Sequence, residues 1–296
     1  MSIADNKACG RKFFEEFDRR NFDGIARLLG PGEVAHLPGV PQPLPWEAHR
    51  QFAQVFVDAF PDCYHVIEDQ VADADNVVTR MTFKGTHTGP LMGIPPTGRQ
   101  IAMGGISWFR LKNGLIAEEW TEFDRLGMMA QLGRAPAPPA GASPPEGAPD
   151  APEQLSALSD PRAIVGRWIE RIDKGGVPDV SAYVGDNYAD HNPPPFPGLK
   201  PGIAGVRQAF PVALKAFGEF HHEVPASIAE GDKAASRIIG FGKQTGEFMG
   251  IPPTGKQVQM SGISIHRVQN GKLVEHWAQI DAMSLLQQLG VMPAQG

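Results

Sequence analysis

The chain has 296 residues, of which 42% are hydrophobic and 20% charged, and its formal net charge is −6. That acidity argues against a nucleic-acid partner or an anionic membrane surface, and no apolar run approaches the roughly 20 residues that span a bilayer. The N-terminal MSIADNKACGRKFFEEFDRR lacks the apolar stretch of a secretory signal, and the two cysteines, Cys9 and Cys63, do not make a disulfide framework; a cytoplasmic location is the expectation.

Phe13, Phe14 and Phe17 recur at helical spacing near the N-terminus, and Phe52, Val55, Phe56 and Ala59 mark one face of a second helix. Four strands are expected next, at roughly 64–73, 76–88, 99–112 and 115–125. Asp75-Asn76 marks one turn between them. Asn113-Gly114 marks a two-residue hairpin, whose central residues both need positive φ. Residues 93–98 read GIPPTG, a rigid loop between strands. From Arg134 to Asp160 the composition turns to Pro, Ala and Gly, which predicts a semi-rigid, extended or disordered linker.

Beyond the linker the pattern restarts. Ile164, Trp168 and Ile172 mark one helix. Ile203, Val206, Phe210, Leu214 and Phe217 mark another, which Pro211 is expected to kink or interrupt. Strands follow at roughly 221–230, 233–245, 256–269 and 272–282. Gly231-Asp232 and Asn270-Gly271 are their turns, and GIPPTG returns at 250–255.

The restart is a duplication. Residues 93–133 and 250–290 align at a constant offset of 157 without a gap, and 20 of 41 positions are identical. Each copy is too long to be a solenoid unit. The chain therefore divides into a first domain at 1–133, a linker at 134–160 and a second domain at 161–296. Helices followed by an antiparallel sheet make each domain α+β, and a sheet curved around its own helices encloses an apolar pocket.

GIPPTGK, then NGKLVEHW, then a downstream Asp and QLG resemble the SnoaL-like polyketide cyclases, a family of the nuclear transport factor 2-like superfamily. The resemblance covers nearly all of both copies and leaves out the linker. It implies two cone-shaped α+β barrels, each with N-terminal helices and a curved antiparallel sheet. It also implies a small, hydrophobic polyketide-type substrate, no metal or organic cofactor, and ring closure by intramolecular aldol chemistry. Dehydratases, isomerases, epoxide-opening cyclases and plain binding modules share the scaffold. Single-domain relatives pair through the outer sheet face, so the two copies are expected to form an intrachain pseudo-dimer.

By the same resemblance the acid/base carboxylates are Asp124 and Asp281, and the histidines ahead of a Pro-Gly turn are His36 and His191. Even spacing puts Trp120 on the face of Asp124 and Trp277 on that of Asp281. A carboxylate beside an indole in a dry cone would have its pKa raised. Each Asp also precedes a short helical segment, where Asp is a preferred cap. Glu119 and His276 occupy equivalent positions on the opposite face, which alternation, unless a bulge intervenes, places at the interface between copies. The family prefers His there, so the second copy is the closer match and the favoured single active site. Arg80, Arg237 and His87 (aligned with Gln244) complete the candidate substrate-binding set; a structural ion pair is the competing role for the two arginines. His221-His222 lacks the spacing of a metal site, and no phosphate-cradling glycine loop or serine-hydrolase elbow is present.

Overall fold

The computed structural model describes residues 2–134, 159–175, 179–194 and 198–292. The predicted linker lies almost wholly outside the described residues. The chain divides into two compact units, Met1–Pro136 with Gln279–Met283 and Ala137–Ala278 with Ser284–Gly296.

In the first copy, α1 (Ile3–Asp18) begins at a capping box. The Ser2 hydroxyl accepts from the Asp5 amide while the Asp5 carboxylate accepts from the Ser2 amide. After α2 (Phe22–Ala26) come β1 (Leu29–His36), β2 (Leu44–Pro45) and α3 (Trp46–Ala59), then β3 (Tyr64–Ala72), β4 (Asn76–Thr86), β5 (Gln100–Lys112), β6 (Leu115–Phe123) and α4 (Arg125–Gln131). The sheet order is β2-β1-β6-β5-β4-β3. Strands β3 to β6 form the expected antiparallel meander, and Asn113 and Gly114 both adopt positive φ, 53° and 81°. Phe13 of α1 meets Phe109 of β5 at 5.0 Å, and Phe56 of α3 meets Phe123 of β6 at 5.8 Å. The two helices thus fill the concave side of the sheet and leave room between them.

Strand β1 adds a parallel neighbour to β6 that the sequence reading treats as loop, because Gly30-Pro31-Gly32 hides it. Its register slips between Leu29, opposite Ile116, and Val34, opposite Glu118. The extra residues bulge, and Glu33 stands at the end of that bulge.

The second copy contains α5 (Pro161–Asp173), α6 (Val180–Tyr183), β7 (Val184–Asp190), α7 (Gly202–Ala216), β8 (Phe217–Glu230), β9 (Lys233–Gln244), β10 (Gln257–Gln269), β11 (Lys272–Ile280) and α8 (Ala282–Leu289). Its sheet order is β7-β11-β10-β9-β8, and β7 again runs parallel to the last strand. Of the two outcomes expected at Pro211, the interruption does not occur: α7 runs through it. Proline removes one amide donor, and a 15-residue helix with one face packed against a sheet tolerates that loss. Among the described residues no helix is long and apolar enough to cross a membrane.

Candidate active site

The concave side of the first sheet is a pocket walled by phenylalanines from both helices and the sheet, among them Phe13, Phe52, Phe56, Phe83 and Phe123. Its cavity volume is about 90 Å³, smaller than the roughly 300–1,000 Å³ typical of sites for drug-sized molecules. Five polar side chains interrupt the apolar lining: His65 on β3, and His49, Ser107, Glu119 and Thr121 where α3, β5 and β6 meet. His49 lies on the buried face of α3 with Ala53 and Phe56, four and seven residues on. Glu119, Thr121 and Phe123 alternate along β6 and share its inner face.

A bulge decides that face. Arg110 pairs with Glu118 but Leu111 pairs with Ile116, so Ala117 is an extra residue in β6. Ile116 is buried in the core. Without the bulge, alternation from Ile116 would carry Glu118 and Trp120 inward. With it, Glu119 goes inward.

Glu119 is 3% exposed and Glu33 4%. The Thr121 hydroxyl donates to Glu119 Oε1 at 2.7 Å, and Ser107 lies 2.6 Å behind Thr121. Because an ionised Glu119 takes the one Thr121 proton, Ser107 donates to Thr121. Glu119 Oε2, both Glu33 oxygens and His49 Nδ1 are buried without a hydrogen-bond partner. His49 Nδ1 stands 3.8 Å from Glu119 Oε2, too far for a hydrogen bond. Burial pushes the Glu119 carboxyl up to about 7, against a smaller lowering by the Thr121 hydroxyl. Burial, then the Glu119 charge, pushes Glu33 up to about 8. Burial pulls His49 down to about 4, so its imidazole is neutral at physiological pH. Two buried carboxyls with separated titrations, one a potential base and the other still an acid, lie side by side, Glu119 in the pocket lining and Glu33 beside it. One ligand atom from each of Glu33, His49 and Glu119 lies within 4.8 Å of the others. A histidine and two carboxylates could also hold a divalent ion, and protons satisfy the same atoms.

The family model for SnoaL-like polyketide cyclases matches residues 9–132 and again 162–289. The chain belongs to this family. It is 27% identical over 135 residues to aklanonic acid methyl ester cyclase AcmA of Streptomyces galilaeus, covering 45% of this chain and 92% of that one. The crystal structure of IdmH from Streptomyces antibioticus is 32% identical, with 43% of this chain and 98% of that chain covered and a TM-score of 0.41. A SnoaL-like protein of Jannaschia sp. CCS1 is 24% identical, with 46% and 97% covered and a TM-score of 0.42. The two matched segments account for two tandem SnoaL-like domains of the nuclear transport factor 2-like fold.

Within this SnoaL-like frame the residues singled out from sequence fall into three groups. Asp124 caps α4, accepting from the Gly127 amide at 2.7 Å, and Trp120 turns away from the pocket to stack on His36 at 5.0 Å. His36 Nε2 also meets Glu118 at 2.9 Å, and Glu118 pairs with Arg110. The second copy repeats this group: His191 stacks on Trp277 at 4.6 Å and reaches Glu275, which pairs with Arg267. Both histidines and both tryptophans thus form matched clusters on the convex side. Asp281 is buried in the same compact unit as Arg125, whose Nη2 donates to it at 2.6 Å. Neither Asp124 nor Asp281 is among the residues lining the pocket. Glu119, expected at an interface, lines the pocket instead.

Arg80 pairs with Glu68, and Arg237 lies in mid-strand opposite Ile263. His87 is fully buried, and its Nδ1 accepts from the Thr97 amide at 3.2 Å. Its counterpart Gln244 accepts from the Thr254 amide at 3.1 Å. Each therefore pins the GIPPTG loop of its own copy. His276 faces Asp190 and His266. Glu33, His49, Ser107 and Thr121 were not singled out from sequence. Replacing Asp124 with Ala removes a helix cap and is expected to cost about 1 kcal/mol, measurable as a lowered urea midpoint.

Proposed function

We propose that the first copy is a cyclase that closes a ring in a polyketide-type substrate, with Glu119 as base and Glu33 as acid. The observation that carries this is a pair of raised carboxyls, Glu119 in the lining of an aromatic pocket and Glu33 with an oxygen within 4.8 Å of it. AcmA is named for cyclising aklanonic acid methyl ester; the substrate proposed for this chain is of that kind, an ester-bearing compound with several carbonyls.

Ionised Glu119 takes a proton from a carbon next to a carbonyl. The C–H electron pair becomes the enolate, which attacks a second carbonyl carbon of the same molecule. That carbonyl's π pair moves to its oxygen, and Glu33 protonates the resulting alkoxide. Transfer of the proton from Glu119 back to Glu33 restores the starting state. Atoms and electrons balance without a co-reactant, because the product is an isomer of the substrate. The phenylalanine walls exclude water and fold the chain so that the two carbons meet, and neutral His49 stands beside the base to hydrogen-bond an oxygen.

The expected pH–rate profile is a narrow bell. It rises through about 7 as Glu119 loses its proton and falls above about 8 as Glu33 loses its own. Both limits belong to the pair. Initial rates of ring closure from pH 5 to 10 check it, and a profile flat across pH 6–9 would refute the assignment. Mass analysis of the product separates ring closure from dehydration, which loses water. Stoichiometric divalent metal in protein purified without chelator, together with loss of turnover on its removal, would replace this reading by a metal-centred one.

A further inference from the structure

One polar group in the wall of the first pocket stands apart from Glu119 and its neighbours. His65 lies on β3, and strands β4 and β5 separate β3 from β6 in the sheet. Its ring sits among phenylalanines that line the same pocket: Phe14 at 4.9 Å, Phe17 at 5.1 Å and Phe83 at 5.3 Å. Asp18, the last residue of α1, holds the ring. Its Oδ1 meets His65 Nδ1 at 2.7 Å, and its two oxygens accept from the His65 amide at 3.1 and 3.0 Å. A carboxylate only accepts, so Nδ1 carries the proton and the neutral ring presents Nε2 as an acceptor. Nε2 has no hydrogen-bond partner among the described residues, and unlike His49 Nδ1 and His87 Nε2 it is not sealed from solvent.

The second copy separates two roles this histidine could have. Asp173 closes α5 as Asp18 closes α1, and it grips His222 in the same way: the His222 amide donates to it at 3.0 Å, and Nδ1 meets it at 2.6 Å. Tying a helix end to the first strand of the meander is therefore common to both copies. The aromatic surround is not. Counted from the shared aspartate, Phe14 and Phe17 become Ile169 and Ile172. Phe83, opposite His65, becomes Gly240, opposite His222. A tie needs only Nδ1, and an asparagine amide would supply the same donor. An accessible nitrogen in an aromatic wall serves a ligand instead, because a hydroxyl entering that wall without an acceptor would lose its water partners and gain none.

We propose that His65 is the specificity-determining residue of the first pocket, its Nε2 accepting a hydrogen bond from a hydroxyl on the ring that enters, with Asp18 as its positioning residue. The hydroxyl docks on β3 while the reacting carbon faces β6, so the substrate enters in one orientation. That orientation rests on the cyclase reading; recognition of the hydroxyl does not. Asp18 also fixes the sense of recognition. An asparagine in its place has one oxygen, which the His65 amide takes, and its own amide then donates to Nδ1. The ring proton moves to Nε2, which becomes a donor.

The test measures binding and not turnover, so failure of the Glu119 assignment leaves it intact. Phenol, toluene and acetophenone are titrated into the full chain by calorimetry. Phenol and toluene have nearly the same shape, and toluene lacks the hydroxyl. His65→Asn, which keeps a donor for Asp18, is expected to weaken phenol at least about fivefold and toluene less than about twofold; retained toluene binding shows that the pocket is intact. Asp18→Asn is expected to weaken phenol by a similar factor and to tighten acetophenone, whose carbonyl then finds a donor. A merely structural tie would shift all three ligands together, and that result overturns the proposal. So does a parent chain that binds no phenol, or phenol binding that is lost in Glu119→Gln and unchanged in His65→Asn. Acetophenone unchanged or weakened in Asp18→Asn overturns the role of Asp18.

Discussion

Replacing Glu119 with Gln is expected to slow ring closure at least about a hundredfold while leaving the unfolding midpoint at about pH 4 essentially unchanged. Gln has the shape of Glu and keeps an oxygen for the Thr121 hydroxyl, which lies 2.7 Å from Oε1. It cannot accept the substrate proton. The pocket geometry is conserved, so the change in rate reports on proton transfer and not on packing. A companion change separates base strength from position. Thr121→Val removes the one hydrogen bond that holds the Glu119 carboxyl down against burial. The rising limb of the pH–rate profile is then expected to move to higher pH with the maximal rate largely kept. A Glu119→Gln enzyme that closes the ring at the parent rate removes Glu119 from the chemistry. An unmoved limb in Thr121→Val would assign that limb to another group.

The duplication made the fold legible. Turn residues recur at fixed places, the GIPPTG loop is written twice, and each sheet follows its helices as the periodicities demand. What escaped was the strand in each copy that runs parallel to the last one. In β1 a Gly-Pro-Gly run reads as a turn, and its pairing with β6 is a long-range contact that no local pattern carries. Glu33 was lost with it. His49 was accessible in principle, because it shares the period of Ala53 and Phe56 on α3, but a single histidine on an apolar face more often belongs to a core. Glu119 was seen and assigned to the other side. Alternation correctly put Glu119 opposite Trp120 and Asp124; it gave only the relation between faces. Which face turned inward depended on one extra residue, Ala117, which reverses the parity set by Ile116. The family pattern pulled the other way, because an Asp closing the last strand is noticed before a Glu in its middle. In the structure that Asp caps a helix, the competing role that spacing alone had left open.

The same burial that makes Glu119 useful makes it destabilising, and this is measurable without a substrate. Its carboxyl titrates at about 7 in the folded chain against 4.5 for an ordinary glutamate. Between those two values the unfolded chain has released the proton and the folded chain still holds it. The folded state therefore binds more protons, and stability falls as pH rises through this window. Below 4.5 both states are protonated and the full contribution is present; above 7 both are ionised and the loss is complete. At about 1.4 kcal/mol per pKa unit, the first copy is expected to lose about 3 kcal/mol between pH 4.5 and 8 through this group alone. Glutamine does not titrate, so Glu119→Gln removes that slope. Urea unfolding of parent and variant at the two pH values checks it. The variant is expected to match the parent at pH 4.5 and to exceed it by about 3 kcal/mol at pH 8. Glu33→Gln is expected to change stability in the same direction, because burial and the Glu119 charge both raise the Glu33 carboxyl. Equal pH slopes in parent and Glu119→Gln would mean that water reaches the carboxyl, and a solvated carboxylate would be too weak a base to draw a proton from carbon near neutral pH. Greater stability joined to lost turnover in the one variant would identify a group kept for its chemistry at the expense of the fold.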